Sequence, residues 1–500
     1  MSGKSERMIR QFFFLLFFTS AFLFSAGQAV YHETYRPQLH FSPAANWMND
    51  PNGMVYYHGN YHLFFQYYPG GTIWGPMHWG HAVSKDLVHW KEEAIAIYPD
   101  SLGYIFSGSA VVDSNNTSGF GKDGKIPLVA IFTQHDMAGE KAKTNRFQNQ
   151  SIAYSLDEGK TWIKYSGNPV LRTPDLKDFR DPKVIWYAGQ KKWIMTLAAG
   201  DRVMFYSSPD LKTWTKESTF GEHIGAHGGV WECPDLVSFD IAGKKIWLLL
   251  VSINPGGAQG GSSTQYFTGT FNGHIFKSFD TLTRWADYGP DNYAGVTWSN
   301  TGKEKIFLGW MSNWQYGTKV PTEKWRSAMT VPRILGLKKI DGAYFTTMEP
   351  VQFKLKSIPI NSATQNQFSY HAPCLIEFRT TNLHSFSMVF NNQKGQQLRV
   401  GFDEEKNSFY IDRKLAGKSD FDPQFASIHY GSRISKSGSS DMKIILDNSS
   451  LELFADGGLT TMTEIFFPDL PFDQMSIRDK SIQFEDMKIF EISSIWPALK

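Results

Sequence analysis

An all-β fold, a five-bladed β-propeller followed by a C-terminal β-sandwich, is predicted by three features of this sequence. Aromatic residues make up 15% of the 500 positions and include 16 Trp, side chains that suit the pleated, half-buried surface of a sheet. Short alternating or aromatic runs are broken by Gly, Asn and Pro, as in Met54 to Tyr57, His58-Gly59-Asn60, then Tyr61 to Phe65, the pattern of a hairpin. A Ser-x-Asp followed by Trp also recurs, at Ser84…Trp90, Ser155…Trp162, Ser208…Trp214 and Ser278…Trp285. Its spacing of roughly 50–70 residues suits four-stranded blades with loop insertions.

Taken in chain order, residues 1–29 read as a signal peptide: Lys4, Arg7 and Arg10, an apolar run from Phe12 to Phe24, then Ala26, Gly27 and Ala29. The run is short for a bilayer span of about 20 residues. An exported protein, periplasmic or extracellular, with no membrane attachment after cleavage is therefore expected. Residues 30–340 are assigned to the propeller. Lys183 to Tyr187 and Trp193 to Ala198 repeat the hairpin pattern, and each Ser-x-Asp…Trp copy reads as a structural turn with an outer-strand aromatic plug. Four copies, with room for another unit upstream of Val331-Pro332-Arg333, give five blades. Residues 341–356 read as a connector. Alternation resumes without the repeat in Phe386, Met388, Phe390, then Leu398, Val400, Phe402, then Met442, Ile444, Leu446, which predicts the sandwich over 357–500.

Lys+Arg 50 against Asp+Glu 48 leaves a formal net charge of +2, so no strong field draws the chain to nucleic acid. Cys233 and Cys374 stand far apart and form no C-x-x-C pair, which points to buried free thiols. No His/Cys/Asp cluster has metal-ligand spacing, and neither a metal nor another cofactor is expected.

Glycoside hydrolysis needs two carboxyl groups flanking the scissile bond, and context selects three candidates among 48 acids. Asp50 lies in Trp47-Met48-Asn49-Asp50-Pro51-Asn52-Gly53, Asp181 in Arg180-Asp181-Pro182, and Glu232 in Trp231-Glu232-Cys233-Pro234. The prolines imply an extended backbone at each. Each motif opens a different blade, as do Phe106-Ser107-Gly108-Ser109 and Trp310-Met311 in two more. Inner strands of a propeller converge on its axis, so the five motifs should line one funnel. Arg180 is expected to keep its neighbour Asp181 ionised. His78 and His81 are read as structural.

With these motifs in order, the sequence resembles glycoside hydrolase family 32, the β-fructosidases, and among them the bacterial levanases and exo-inulinases. Phe65-Gln66-Tyr67, Trp79 to Ser84 and Leu451 to Gly458 add to the likeness, which covers almost the whole chain after the signal segment. The resemblance implies retaining hydrolysis of terminal β-fructosyl residues in fructans or sucrose, with Asp50 as nucleophile, Glu232 as acid/base and Asp181 as a stabiliser that binds fructose hydroxyls. It further implies that Asn49, Gln66, Trp74, Phe106, Ser107, Arg180 and Trp310 shape the terminal-fructose pocket. Three other readings compete: a sialidase, from the Asp-box-like Ser155 to Trp162; a non-catalytic fructan-binding propeller; and a fructosyltransferase, in which a hydroxyl rather than water intercepts a covalent intermediate.

Overall fold

The computed structural model describes residues 31–359, 367–478 and 484–496; the signal segment expected at 1–29 lies outside them. Five antiparallel sheets follow one another along the first part of the chain, each built from strands taken in order. Their inner strands are Asn46–Tyr57, Tyr104–Val112, Phe179–Tyr187, Val230–Ile241 and Tyr293–Thr297. Neighbouring inner strands touch all the way round, which closes the ring of a five-bladed propeller. The ring is fastened where Trp325–Arg326, from the fifth unit, pairs in parallel with Asn46 and Trp47 of the first.

Local chemistry explains the hairpins. His58 and Gly59 both have positive φ, 46° and 81°, the two-residue turn whose twist matches the strands it joins. The Ser-x-Asp repeat is a second turn. Asp86 Oδ1 accepts hydrogen bonds from Ser84 Oγ and from the backbone N–H groups of Val88 and His89, at 3.1, 3.0 and 2.8 Å. Asp210 does the same with Ser208, Lys212 and Thr213. Three copies join the third and fourth strands of blades 1 to 3, on the face away from the starts of the inner strands. The fourth differs: Ser278-Phe279-Asp280 sits between two short outer segments, Phe276–Ser278 and Arg284–Trp285, and Asp280 pairs with Arg284 at 2.8 Å.

The stretch read as a connector at 341–356 is largely strand. Ala343–Pro350 pairs along its whole length with Arg333–Ile340 as the outer edge of blade 5. A polar, turn-flanked edge strand has too little apolar alternation to stand out in sequence. Beyond it, two six-stranded antiparallel sheets face each other over a core that includes Phe378, Phe386, Met388, Phe390, Leu453 and Met462.

The two parts meet through buried charge. Arg333, fully buried in the propeller, donates to Asp287 at 2.8 Å and to Glu452 of the sandwich at 2.5 Å. His40 lies between Asp447 and Glu452, 2.8 Å from each, and the two carboxylates raise its pKa to about 9 against the opposing effect of burial. Because that value lies above the unfolded value of about 6.5, the charged imidazole contributes on the order of 3 kcal/mol. The contribution is complete below about pH 6.5 and is lost as pH rises through about 9. Thermal unfolding midpoints are accordingly expected to fall between about pH 7 and about pH 9.5. His40→Gln should be less stable at neutral pH and show a flatter alkaline decline; an unchanged slope in that variant would assign the effect elsewhere.

Candidate active site

The candidate residues meet where the inner strands begin. Asp50 comes from blade 1, Ser107 from blade 2, Arg180 and Asp181 from blade 3, and Glu232 from blade 4. At this level every inner strand loses register with its neighbour: between Met48 and Pro51, between Ile105 and Gly108, opposite Thr196 and Ala198, between Glu232 and Asp235, and between Tyr293 and Val296. Such bulges bend a strand and re-aim side chains. Asp181 and Cys233 take φ of 63° and 46° there, so the extended backbone expected before Pro182 and Pro234 is not what forms. The bulge supplies a left-handed residue that the proline only keeps out of the right-handed helical region.

These residues line a cavity of about 280 Å³ together with Asn49, Gln66, Trp74, Phe106, His135, Glu140, Gln148, Asp178 and Trp314. Asp50 is held on both oxygens. Ser107 Oγ donates to Oδ2 at 2.6 Å and Asn49 Nδ2 to Oδ1 at 3.0 Å, while Asn49 Oδ1 is fixed by the Trp47 indole at 2.7 Å. Asp181 Oδ2 accepts from the Cys233 backbone N–H at 3.1 Å. The Cys233 thiol touches Asp50 at 3.4 Å and Asp181 at 3.7 Å. Glu232 is gripped from both sides, by Arg180 at 2.9 and 3.3 Å on Oε1 and by the Tyr293 hydroxyl on Oε2. Gln66 is anchored to the Ile105 carbonyl at 3.0 Å.

Burial sets the electrostatics. Desolvation and the nearby charge of Glu232 push the Asp50 carboxyl up, against the hydrogen bonds from Ser107 and Asn49. Burial pushes Asp181 up as well; Arg180 opposes this, and Glu232 and Asp50 add to it. Arg180 favours the ionised form of Asp181 as expected, but from a distance and not through a hydrogen bond. Its Nε stands 3.9 Å from Asp181, whereas its hydrogen bonds go to Glu232 and, at 2.6 Å, to Asp178. The three carboxylates hold the guanidinium firmly charged.

Trp310 is the site residue placed differently from expectation. It is wholly buried and outside the cavity lining, packed among Trp47, Tyr293 and Trp314. The wall is formed by Trp314, from the loop after the Lys305–Met311 strand. The strand position tied to the motif points into the packing layer, and the loop reaches the axis. His78 and His81 stay off the cavity: His78 bonds the Pro76 carbonyl at 2.9 Å, and His81 lies 3.1 Å from His62 and stacks on Phe64. Tyr293, Asp178, His135, Glu140, Gln148 and Trp314 escaped the sequence reading, and Cys233 was read only as a buried thiol. Asp178 adjoins a motif already singled out and Cys233 lies inside one; the others carry no local signal.

A family model for the glycosyl hydrolases family 32 N-terminal domain matches residues 40–350, and one for the family 32 C-terminal domain matches residues 345–491. The chain belongs to glycoside hydrolase family 32. It is 44% identical to a levanase of Bacillus subtilis over 97% of this chain and 74% of that protein, and 39% identical to an extracellular exo-inulinase of Aspergillus awamori over 93% and 96%. The crystal structure of an Aspergillus awamori exo-inulinase superposes with a TM-score of 0.84 at 36% identity, covering 93% of this chain and 100% of that one. A Schwanniomyces occidentalis β-fructofuranosidase complexed with fructosyl-erythritol gives 0.83 at 33% identity, covering 93% and 98%. Family membership makes the chain a glycoside hydrolase.

The two thiols of this family 32 member should be inert. Burial raises both, Cys233 all the more because three carboxylates surround it, and the thiolate is the reactive form. Iodoacetamide at about pH 8 is expected to label neither cysteine in native protein and both in denaturant; rapid native labelling of Cys233 would mean that the carboxylate cluster opens.

Proposed function

We propose that this chain is an exported, exo-acting β-fructosidase that removes terminal β-D-fructofuranosyl residues from fructans and sucrose with retention of configuration. The observation that carries the reading is the convergence of Asp50, Asp181 and Glu232, from three blades, on one cavity walled by Trp74, Phe106 and Trp314. Its volume of about 280 Å³ lies just below the usual range for ligand pockets, roughly 300–1,000 Å³. That suits one sugar ring entering from a chain end. The similar levanase, exo-inulinase and fructofuranosidase proteins support the same substrate class.

In this mechanism Asp50, aimed by Ser107 and Asn49, attacks the anomeric carbon of the bound fructosyl ring while Glu232 gives its proton to the departing oxygen. A fructosyl ester on Asp50 results. Glu232, now a carboxylate steadied by Arg180 and Tyr293, takes a proton from the water that attacks the same carbon, and the bond from that carbon to Asp50 breaks to return its carboxylate. Two inversions give retention. Asp181 accepts hydrogen bonds from fructose hydroxyls, and its charge stabilises the oxocarbenium-like transition state. Asn49, Gln66 and Arg180 supply polar contacts to the ring, and the aromatic side chains cover its faces.

Incubation with levan, inulin and sucrose should release free fructose from the earliest times. A ladder of oligosaccharides appearing first from either polymer would overturn exo action.

The two principal carboxyls should also fail differently. Asp50→Ala is expected to abolish turnover whatever the leaving group. Glu232→Ala should slow substrates with poor leaving groups by about 10²- to 10⁴-fold and spare a good leaving group at the first step, with azide restoring turnover as fructosyl azide of retained configuration. If Asp181→Ala showed that leaving-group dependence and Glu232→Ala did not, the two roles would have to be exchanged.

A further inference from the structure

One part of the cavity wall is not used by this mechanism. The connection between the Leu128–His135 and Gln148–Ser155 strands of blade 2 carries the short helix Met137–Lys141 and brings Glu140 to the cavity mouth. Glu140 is 45% exposed, against 12, 5 and 20% for the side chains of Arg180, Asp181 and Glu232. Its Oε2 lies 3.1 Å from Nε2 of His135. The His135 ring is itself buried and stacked flat on Phe106, with centroids 4.2 Å apart and planes 9° from parallel. On the other side His135 Nδ1 lies 3.1 Å from Nε2 of Gln148.

This chain of contacts has one consistent proton arrangement. Burial disfavours the charged imidazole, so His135 carries one ring proton. A carboxylate can only accept, which puts that proton on Nε2, facing Glu140. Nδ1 must then accept from the Gln148 amide, which turns the Gln148 carbonyl away from His135. Oε1 of Gln148, a residue 3% exposed that lines the same cavity, has no hydrogen-bond partner among the described residues. Buried carbonyls without a partner are uncommon; this one is enclosed by protein, so the acceptor that a ligand in the cavity can reach on this wall is Glu140. Glu140, through its outer oxygen, offers the same wall a fixed acceptor at the mouth.

We propose that Glu140, positioned by His135, binds hydroxyl groups of the sugar unit on the leaving-group side of the scissile bond and so favours sugar over non-sugar aglycones. The inference rests on the β-fructosidase reading. In that reading the fructosyl ring occupies the inner cavity beside Asp50, and the leaving oxygen faces Glu232, so the rest of the substrate must exit past the mouth. Glu140 is the charged acceptor that the blade 2 connection holds there, and His135 is a positioning residue that acts through it.

The test compares sucrose and an inulin-type oligosaccharide with methyl β-D-fructofuranoside, whose leaving group is methanol. A hydrogen bond to a charged group is worth about tenfold or more in affinity. Glu140→Ala is therefore expected to lower kcat/KM about tenfold on both sugar-leaving substrates, chiefly through KM, and to leave methyl β-D-fructofuranoside within about twofold. His135→Phe, which preserves the stack on Phe106 but removes both hydrogen bonds, should show the same selective loss, smaller in size. Equal losses on all three substrates, or none on any, would overturn the proposal. Wild-type protein that cleaves none of the three would instead refute the β-fructosidase reading itself.

Discussion

Three carboxylates taken out of water at one point are the constraint around which this protein is arranged. Asp50, Asp181 and Glu232 repel one another, and burial penalises the charges of Asp50 and Asp181. The fold answers with directed donors: Ser107 and Asn49 on Asp50, the Cys233 amide on Asp181, Arg180 and Tyr293 on Glu232. Each donor comes from an inner strand, and each inner strand departs from regular pairing at this level. Regular strands would present alternate side chains to the flanking blades; the bulges turn them toward the axis. Gly53 belongs to the same arrangement. Its φ is 53°, and a Cβ there would lie 2.6 Å from the Trp79 ring, so the tight packing behind Asp50 requires a residue without one.

The sandwich takes part in this arrangement at a distance. Arg413, buried in the sandwich, bonds Asp291 at 2.6 Å and the Tyr316 hydroxyl at 3.0 Å. Tyr316 lies in the same loop as Trp314, whose ring walls the cavity, and Asp291 is two residues from Tyr293, which holds Glu232. Burying ion pairs is weakly stabilising at best when compared with apolar packing. Their directionality is what ties the sandwich to the blade 5 loop in one geometry, and the Arg333, Glu452 and His40 cluster does the same nearby.

Much of the architecture could be read from local pattern. Hairpins such as Tyr57 to Asn60 declare themselves through turn residues, and the Ser-x-Asp turns through the few donors a short acidic side chain can reach. Three of those turns lie on the face opposite the cavity, consistent with a purely structural role. The outer strand at Ala343–Pro350 was not legible because its residues alternate weakly between sheet and solvent. Asp50, Asp181 and Glu232 were legible because each sits in a short motif at the start of a blade.

Most strands, the number of blades and the carboxyl groups that start them are written in the chain itself, since these follow from short-range alternation and turn chemistry; the outer edge of blade 5 is the exception. Tertiary structure alone decided which groups face one another. Arg180 is adjacent to Asp181 in the chain yet bonds Glu232, 52 positions away. Trp314 rather than Trp310 reaches the cavity, Gln148 and Glu140 line it from parts of blade 2 outside any motif, and Tyr293 of blade 5 holds Glu232 from behind. The physical reason is the same in each case. A side chain's direction in a bulged strand or a closing loop depends on the packing of neighbouring blades, and that packing exists only once the ring has closed.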